Sequence, residues 1–265
     1  MRIVSVGEIT LDHYLGLEQS FVGGISLNFA IHAKRSGAKQ VALMSRVGSE
    51  DGQVVLDKLE QEKIDSRHVR VLRGKTASID IQVLSNGERV FPKGGYHENV
   101  LKDFQLGPRE LGFIQEHEVL VTLFDSRQGS HFEQLMRLEF SGKRIVDFGD
   151  WSRRKTELAA FLTALEGIDL AFISGTEETV EALLPYTKSD GLIVVTLGAQ
   201  GSIALAHRET IAQAAQKVIP VDATGCGDAF QAAFTVHYYQ TGDIHLALQA
   251  GAKQAARVLQ QYGAS

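Results

Sequence analysis

Cysteine is almost absent. Cys226 stands alone in 265 residues, which excludes an intrachain disulfide and suits a reducing compartment. There is no excess of positive charge: 27 Lys and Arg face 32 Asp and Glu, a formal net charge of −5 at pH 7, so binding to nucleic acid has no electrostatic support. No apolar run approaches the ~18 residues that a membrane span needs. Met1-Arg2 leads directly into Ile3-Val4-Ser5-Val6, which leaves no room for a signal peptide, and the expected location is the cytoplasm. The nine histidines show no zinc-site spacing. Linkers, repeats and low-complexity tracts are also missing, so one domain over 1–265 is expected. What is there is an ordinary globular composition, 44% hydrophobic and 22% charged, long enough to bury a full core.

Along the chain, residues 3–6 form an apolar run ending at Gly7, which predicts a strand buried on both faces. Residues 28–35 predict a helix closed by Gly37, 41–44 a strand, and 53–63 a helix with Val55, Leu56 and Leu59 on one side. This β, α, β, α order predicts an α/β fold with a mostly parallel sheet. Residues 77–91 break the rhythm. Ile79, Ile81 and Val83 alternate with Ser78, Asp80 and Gln82; Asn86-Gly87 predicts a type I′ turn, and Glu88-Arg89-Val90-Phe91 the return strand. Such a hairpin reads as a separate small sheet, the alternative being an antiparallel edge on the main one. Beyond Gly107-Pro108 the alternation resumes. Strands are predicted at 119–123, 144–148, 170–173 and 192–196, and helices at 131–140, 156–165, 177–184 (stopped by Pro185) and 244–262, ending at Gly263.

The stretch richest in chemistry is Asp222-Ala223-Thr224-Gly225-Cys226-Gly227-Asp228-Ala229-Phe230. An extended run, 218–221, leads in, and an apolar, helix-compatible run, 229–239, leads out. Two glycines at a helix mouth let backbone approach a ligand, and the unpartnered first amides with the helix dipole favour an anion. A carboxylate in that pocket is electrostatically odd. Asp228 repels a bound phosphate at rest but can take the proton from a hydroxyl that attacks it, a combination that reads as phosphoryl transfer to an alcohol. Taken alone, Asp228 also suits a helix N-cap, and the glycines a turn without a ligand.

This nonapeptide resembles the C-terminal signature D-T-x-G-A-G-D-x-F of the ribokinase-like, PfkB-type carbohydrate kinases. Gly23-Gly24-Ile25-Ser26-Leu27-Asn28-Phe29-Ala30 resembles the N-terminal signature of the same family. The two stand in the right order at opposite ends, and the resemblance extends over nearly the whole chain. It implies a ribokinase-like fold: a mostly parallel central sheet, helices on both faces and a small β-sheet lid from about 11–22 and 76–96. By the same resemblance, Asp228 is the general base and the amides of Gly225, Cys226 and Gly227 form the anion hole. Asp12, Gly24 and Asn28 hold acceptor hydroxyls; their plain readings are a loop carboxylate, a turn glycine and a helix-start Asn. In Thr196-Leu197-Gly198-Ala199-Gln200-Gly201, Thr196 and Gly198 approach ATP and Gly201 permits the return. Glu177 matches the acidic member of an Asn-x-x-Glu element that organises Mg2+. Ser174 replaces the Asn, a departure that a hydrated ion tolerates; in the competing reading, Thr176 or Glu177 caps the next helix.

Further departures are Cys226 at an alanine position, read as a small buried thiol, Ala223 for Thr, and Ala233 for a frequent Gly in the following helix. Asp147 and Asp150 form another carboxylate pair past a strand end, with nothing to fix a glycosidase separation. A Rossmann dehydrogenase lacks support because Gly7 has no companion glycines. The resemblance therefore implies an ATP- and Mg2+-dependent sugar kinase acting on a primary hydroxyl. Residues 76–106 and 147–150 are most similar to the fructoselysine 6-kinase group, which favours a fructosamine acceptor. Ribose or a nucleoside is the alternative acceptor, and a silent sugar- or nucleotide-binding module the alternative class. The family also suggests a homodimer paired through the lid, and leaves a monovalent-cation requirement open.

Overall fold

Ile3, Val4, Ser5 and Val6 are all fully buried in the first strand, Arg2–Val6 (β1), because both faces of the sheet it founds are covered by helices. The structure, a computed structural model, describes all residues except 18, 155–157 and 188–190. β1 lies between Gln40–Gly48 (β4) and Val119–Leu123 (β9), parallel to both. The main sheet runs on through Asp65–Leu72 (β5) at one edge. On the other side it continues through Lys143–Asp150 (β10), Leu170–Ser174 (β11) and Leu192–Thr196 (β12), all parallel. Ser202–Ala206 (β13) and Glu209–Gln213 (β14) close that edge as an antiparallel pair.

Side chains alternate between two cores, as strand geometry requires. Ile3, Val41, Leu43, Val121, Phe172 and Val194 pack towards Ile25–Arg35 (α1), Cys226–Thr241 (α8) and Ile244–Val258 (α9). Their neighbours Val4, Val6, Met44 and Leu120 face Pro108–Gln115 (α3) and His131–Arg137 (α4). Val146, Phe148, Ile173 and Val195 face Trp151–Arg154 (α5), Leu158–Leu165 (α6) and Glu177–Leu183 (α7). No helix among the described residues is long and apolar enough to cross a membrane.

The alternation at 78–83 belongs to a second, separate sheet, which resolves the alternative of an edge on the main one. Thr10–Tyr14 (β2) pairs with Gln19–Gly23 (β3) and with Ser78–Val83 (β6), and β6 in turn pairs with Arg89–Val90 (β7) and Tyr96–His97 (β8). The hairpin turn differs from the sequence expectation. Asn86 is not in the left-handed region; Gly87 is, at φ 80, and its amide donates to Leu84 O at 2.9 Å while Leu84 N donates to Glu88 O at 2.7 Å. The loop is therefore three residues with glycine in the third place, and Asn86 Oδ1 takes the Glu88 amide at 3.1 Å instead of occupying a type I′ position.

Several helix ends also shift. α1 begins at Ile25, three residues before 28, and α8 at Cys226, before 229. The helix expected over 53–63 is Gln53–Gln61 (α2), ended by Lys63 at φ 56. α4 stops at Arg137 because Leu138 turns extended, and α9 stops at Val258 because Leu259 O is taken by the amides of Val221 and Asp222. Of the helix expected over 156–165, residues 156 and 157 lie outside the described ones. Residues 218–221 carry no strand. The strands β5, β13 and β14 and the helix α3 were not anticipated: β5 mixes charged and apolar residues, and the short β13–β14 hairpin lacks a strong turn signal.

Phe172 lies edge-on to Phe234 (5.5 Å) and Phe230 (6.4 Å) of α8, so the sheet directly seats this helix. Phe172→Ala is expected to cost ~3–5 kcal/mol of stability; a urea midpoint unchanged from the wild type would contradict that seating.

Candidate active site

Gly225 precedes α8 with φ 75 and ψ −3, a left-handed conformation that disfavours a side chain. A Cβ there would also collide with the Ala264 Cβ and lie 2.7 Å from its Cα. The loop is held from below by Asp222, which is fully buried. Its Oδ1 accepts from Thr224 N at 2.9 Å and Thr224 Oγ1 at 2.7 Å; its Oδ2 accepts from Gly263 N at 3.0 Å and Tyr14 Oη at 2.5 Å. A buried carboxylate with this many donors is well satisfied. It ties the helix mouth to β2 of the small sheet and to the segment after α9. The small sheet grips the loop at a second point, since Ala223 N donates to Gly87 O at 2.9 Å and Arg89 Nη1 donates to Ala223 O at 2.6 Å.

Asp228 lies in the first turn of α8, and Asn28 Nδ2 donates to its Oδ2 at 2.8 Å. The two predicted signatures thus meet through one hydrogen bond across 200 residues of chain. Asn28 is buried, and its Oδ1 has no hydrogen-bond partner among the described residues, leaving an acceptor open to a ligand hydroxyl. Gly24 precedes α1 with φ 100, and a Cβ there would lie 2.7 Å from Glu8 O and Ile9 Cα, so only glycine lets the chain cross β2 this closely. Asp12 is buried on β2 and accepts from Thr10 Oγ1 at 2.5 Å.

Burial pushes the Asp228 carboxyl up to about 7; the Asn28 bond opposes this and the charge of Asp147 adds to it. Burial likewise raises Asp12 to about 7, against the Thr10 bond and with a contribution from Glu8. Arg89 is the positive charge that acts on both, lowering each. The Cys226 thiol is pushed up to about 12, chiefly by burial, which leaves it protonated and unreactive at neutral pH.

A second group stands at the carboxyl ends of β11 and β12, where open α/β sheets bind ligands. Ser174 and Thr196 are register partners, with their hydroxyl oxygens 3.1 Å apart. Gly198 (φ 58) is exposed, and Gly201 (φ 110) returns the chain with its carbonyl accepting from Leu197 N at 2.8 Å. Thr176 takes the N-cap position of α7, its amide donating to Thr179 Oγ1 at 3.0 Å, while Glu177 opens the helix with an exposed side chain. Among the described residues no three His, Cys, Asp or Glu side chains are grouped to grip a metal directly, an arrangement compatible with a Mg2+ ion that keeps its waters. Asp147 and Asp150 serve local turns, accepting from Gly149 N and Ser152 N at 2.8 Å each, and Asp147 additionally biases Asp228.

Tyr14, Arg89, Glu8 and Tyr96 were not singled out from the sequence. Each has its partner far along the chain or across the two sheets, so no local pattern announces it; the alternation of β2 (Thr10, Asp12 and Tyr14 inward) is the one signal that could have found Tyr14. Ala233 is buried in α8, and the close helix contact is made elsewhere, where Gly251 of α9 leaves room for the Phe230 ring.

Residues 10–265 match the pfkB family carbohydrate kinase, and the chain belongs to this family of phosphotransferases. Fructoselysine 6-kinase of Escherichia coli K12 is 28% identical over 99% of this chain and 98% of its own length. A fructosamine kinase of Bacillus subtilis 168 is 27% identical, over 100% and 93%. Among solved structures, the adenosine kinase from Sinorhizobium meliloti superposes with a TM-score of 0.84 at 17% identity, covering 99% and 95% of the two chains. An E. coli chain described as ribokinase II, solved in complex with ATP and Mg2+, gives 0.81 at 18% identity over 100% and 94%. At these identities the structures speak for the fold, which is ribokinase-like.

Tyr14→Phe removes one donor from a buried carboxylate. It is expected to lower stability by ~1.5–3 kcal/mol, read by urea denaturation; an unchanged midpoint would show that Asp222 does not depend on the small sheet.

Proposed function

We propose that this chain is an ATP- and Mg2+-dependent sugar kinase that phosphorylates a primary hydroxyl of a monosaccharide derivative, with a fructosamine such as fructoselysine as acceptor. The observation that carries this reading is the Asn28–Asp228 hydrogen bond, which joins a polar acceptor wall to a carboxylate at a helix mouth. The acceptor oxygen attacks the terminal phosphorus of ATP, the bond from that phosphorus to the bridging oxygen of ADP breaks, and the hydroxyl proton passes to Asp228. The amides of Gly225, Cys226 and Gly227, at the positive end of the α8 dipole, stabilise charge on the transferred group. Asp12, Gly24 and Asn28 orient the sugar. Thr196, Gly198 and Gly201 line the nucleotide turn, with Ser174 and Glu177 beside it to hold waters of a magnesium ion. Mg2+, when bound, neutralises phosphate charge. The small sheet acts as a lid that keeps out water, the competing acceptor.

Support for ATP and Mg2+ comes from the E. coli chain that contains both, and support for a fructosamine from the two relatives named above. Pairing of two copies through the lid is supported by the exposed Leu84, Val90 and Phe91; a monomeric mass by light scattering across the assay concentrations would remove that element.

A base raised to about 7 must lose its proton to work. Accordingly kcat/KM is expected to climb roughly tenfold per pH unit below that value and to level off above it. The same shift has the opposite effect on stability. The folded form holds this proton more tightly than the unfolded one, so stability falls as pH rises from ~4 to 7 and the penalty is complete above that. Asp228→Asn is expected to lower kcat by about 10²–10⁴ with nucleotide binding retained; near-normal turnover in that variant would overturn the assignment.

A further inference from the structure

Beside the carboxylates of the proposed reaction lies a pocket of about 420 Å3, between the small sheet and the carboxyl ends of β1 and β9. Neither Asp228 nor Gly225 lines it. Its connection to them runs through Glu8, whose charge raises the carboxyls of both Asp12 and Asp228. Glu8 follows Gly7 directly after β1, and its backbone carbonyl is the atom that Gly24 closely approaches. The pocket and the acceptor wall therefore share one residue.

The polar lining is unbalanced. Arg127 is committed to Asp125, its Nε 3.0 Å from both carboxylate oxygens and its Nη2 2.8 Å from Oδ2, and only its Nη1 reaches Glu98, at 3.4 Å. One carboxylate is thereby neutralised, leaving Glu8, Glu98 and Asp103 in excess. His131, held neutral by burial that lowers it to about 4, adds no charge, and its buried Nε2 has no hydrogen-bond partner among the described residues. Tyr96 Oη, carried in by the small sheet, donates to Glu8 Oε1 at 2.7 Å. Glu8 and Glu98 repel one another, and burial makes the Glu8 charge costly until a cation joins it. Leu101 and Phe104 supply an apolar wall along which methylenes can lie.

We propose that this pocket receives an alkylammonium arm attached to the acceptor sugar, with Glu8, assisted by Glu98, pairing with the cationic nitrogen and so setting acceptor choice. The inference rests on the sugar-kinase reading and gives it a selectivity determinant. A ketose bearing a protonated secondary amine on the carbon remote from the phosphorylated hydroxyl has the required shape: hydroxyls for Asp12 and Asn28, then a cation, then a short aliphatic chain. A neutral sugar would leave the carboxylates desolvated and unmatched.

The test compares two acceptors of equal length, an N-butyl fructosamine and its 1-O-butyl ether, which lacks the charge. The wild type is expected to favour the amine at least tenfold in kcat/KM, and Glu8→Gln to reduce that ratio at least tenfold. Because the carboxylate of Glu8 also takes a hydrogen bond from the backbone of Ile25 at the start of α1, a melting curve accompanies the assay. Glu98→Gln serves as the second variant, with an expected loss of threefold or more in the same ratio. A wild type that turns over both acceptors without preference, or variants that slow both equally, would overturn the inference while leaving the kinase reading in place. No ATP-dependent turnover of any sugar by the wild type would overturn that reading and the inference together.

Discussion

The loop before α8, the small sheet and the segment after α9 meet on the buried carboxylate of Asp222. Removing such a charge from water costs several kcal/mol unless its oxygens are fully used. Four donors use them, and they come from three places: the loop itself (Thr224), the small sheet (Tyr14) and the segment after α9 (Gly263). Any movement that separates these parts exposes the carboxylate to an unmet desolvation cost. Gly225 keeps its left-handed turn against Ala264 within this tied assembly.

Around that tie the site is crowded with like charge. Asp12, Asp228, Glu8 and Asp147 lie near enough for several of them to raise one another, and burial raises Asp12, Asp228 and Glu8 further. An arrangement of this kind is costly for a binding surface but suits proton transfer at neutral pH, where a carboxyl held near 7 is both a competent base and able to release the proton again. Arg89 and the amides of the helix end supply the opposing positive potential. The balance between them separates a side rich in carboxylates, the proposed acceptor side, from the helix mouth proposed for phosphate.

The parallel centre of the main sheet was legible because its strands are short apolar runs separated by helical stretches, whereas its edge strands β5, β13 and β14 lack that mark. The small sheet was legible in part. Ile79, Ile81 and Val83 announced β6, but the turn type was misread because Asn86-Gly87 alone does not say which residue takes the positive φ. The proposed base and the acceptor Asn were found as members of two signatures; their hydrogen bond was not visible, since 200 residues separate them. Tyr14, Arg89 and Glu8 escaped for the same reason. Their significance is a matter of which elements the fold brings together, and a tyrosine in a strand or an arginine after a turn has no local signature of that.

The contacts of Ala223 show how the two sheets act as one body. Both its backbone groups are occupied by the hairpin: the amide by Gly87 O and the carbonyl by Arg89 Nη1. The carbonyl also accepts from Cys226 N at 3.4 Å, so it serves both the hairpin and the first turn of α8, and the loop is shaped as much by the hairpin as by its own sequence. Tyr14 adds a third tether from the same sheet to Asp222. This accounts for alanine at 223, where the resembled signature has Thr: the backbone, not the side chain, makes the connection. The side of the molecule proposed to recognise an acceptor and the backbone proposed to face phosphate are therefore joined at two adjacent residues, Asp222 and Ala223. In that geometry the positions of the small sheet and of the helix mouth are not independent variables.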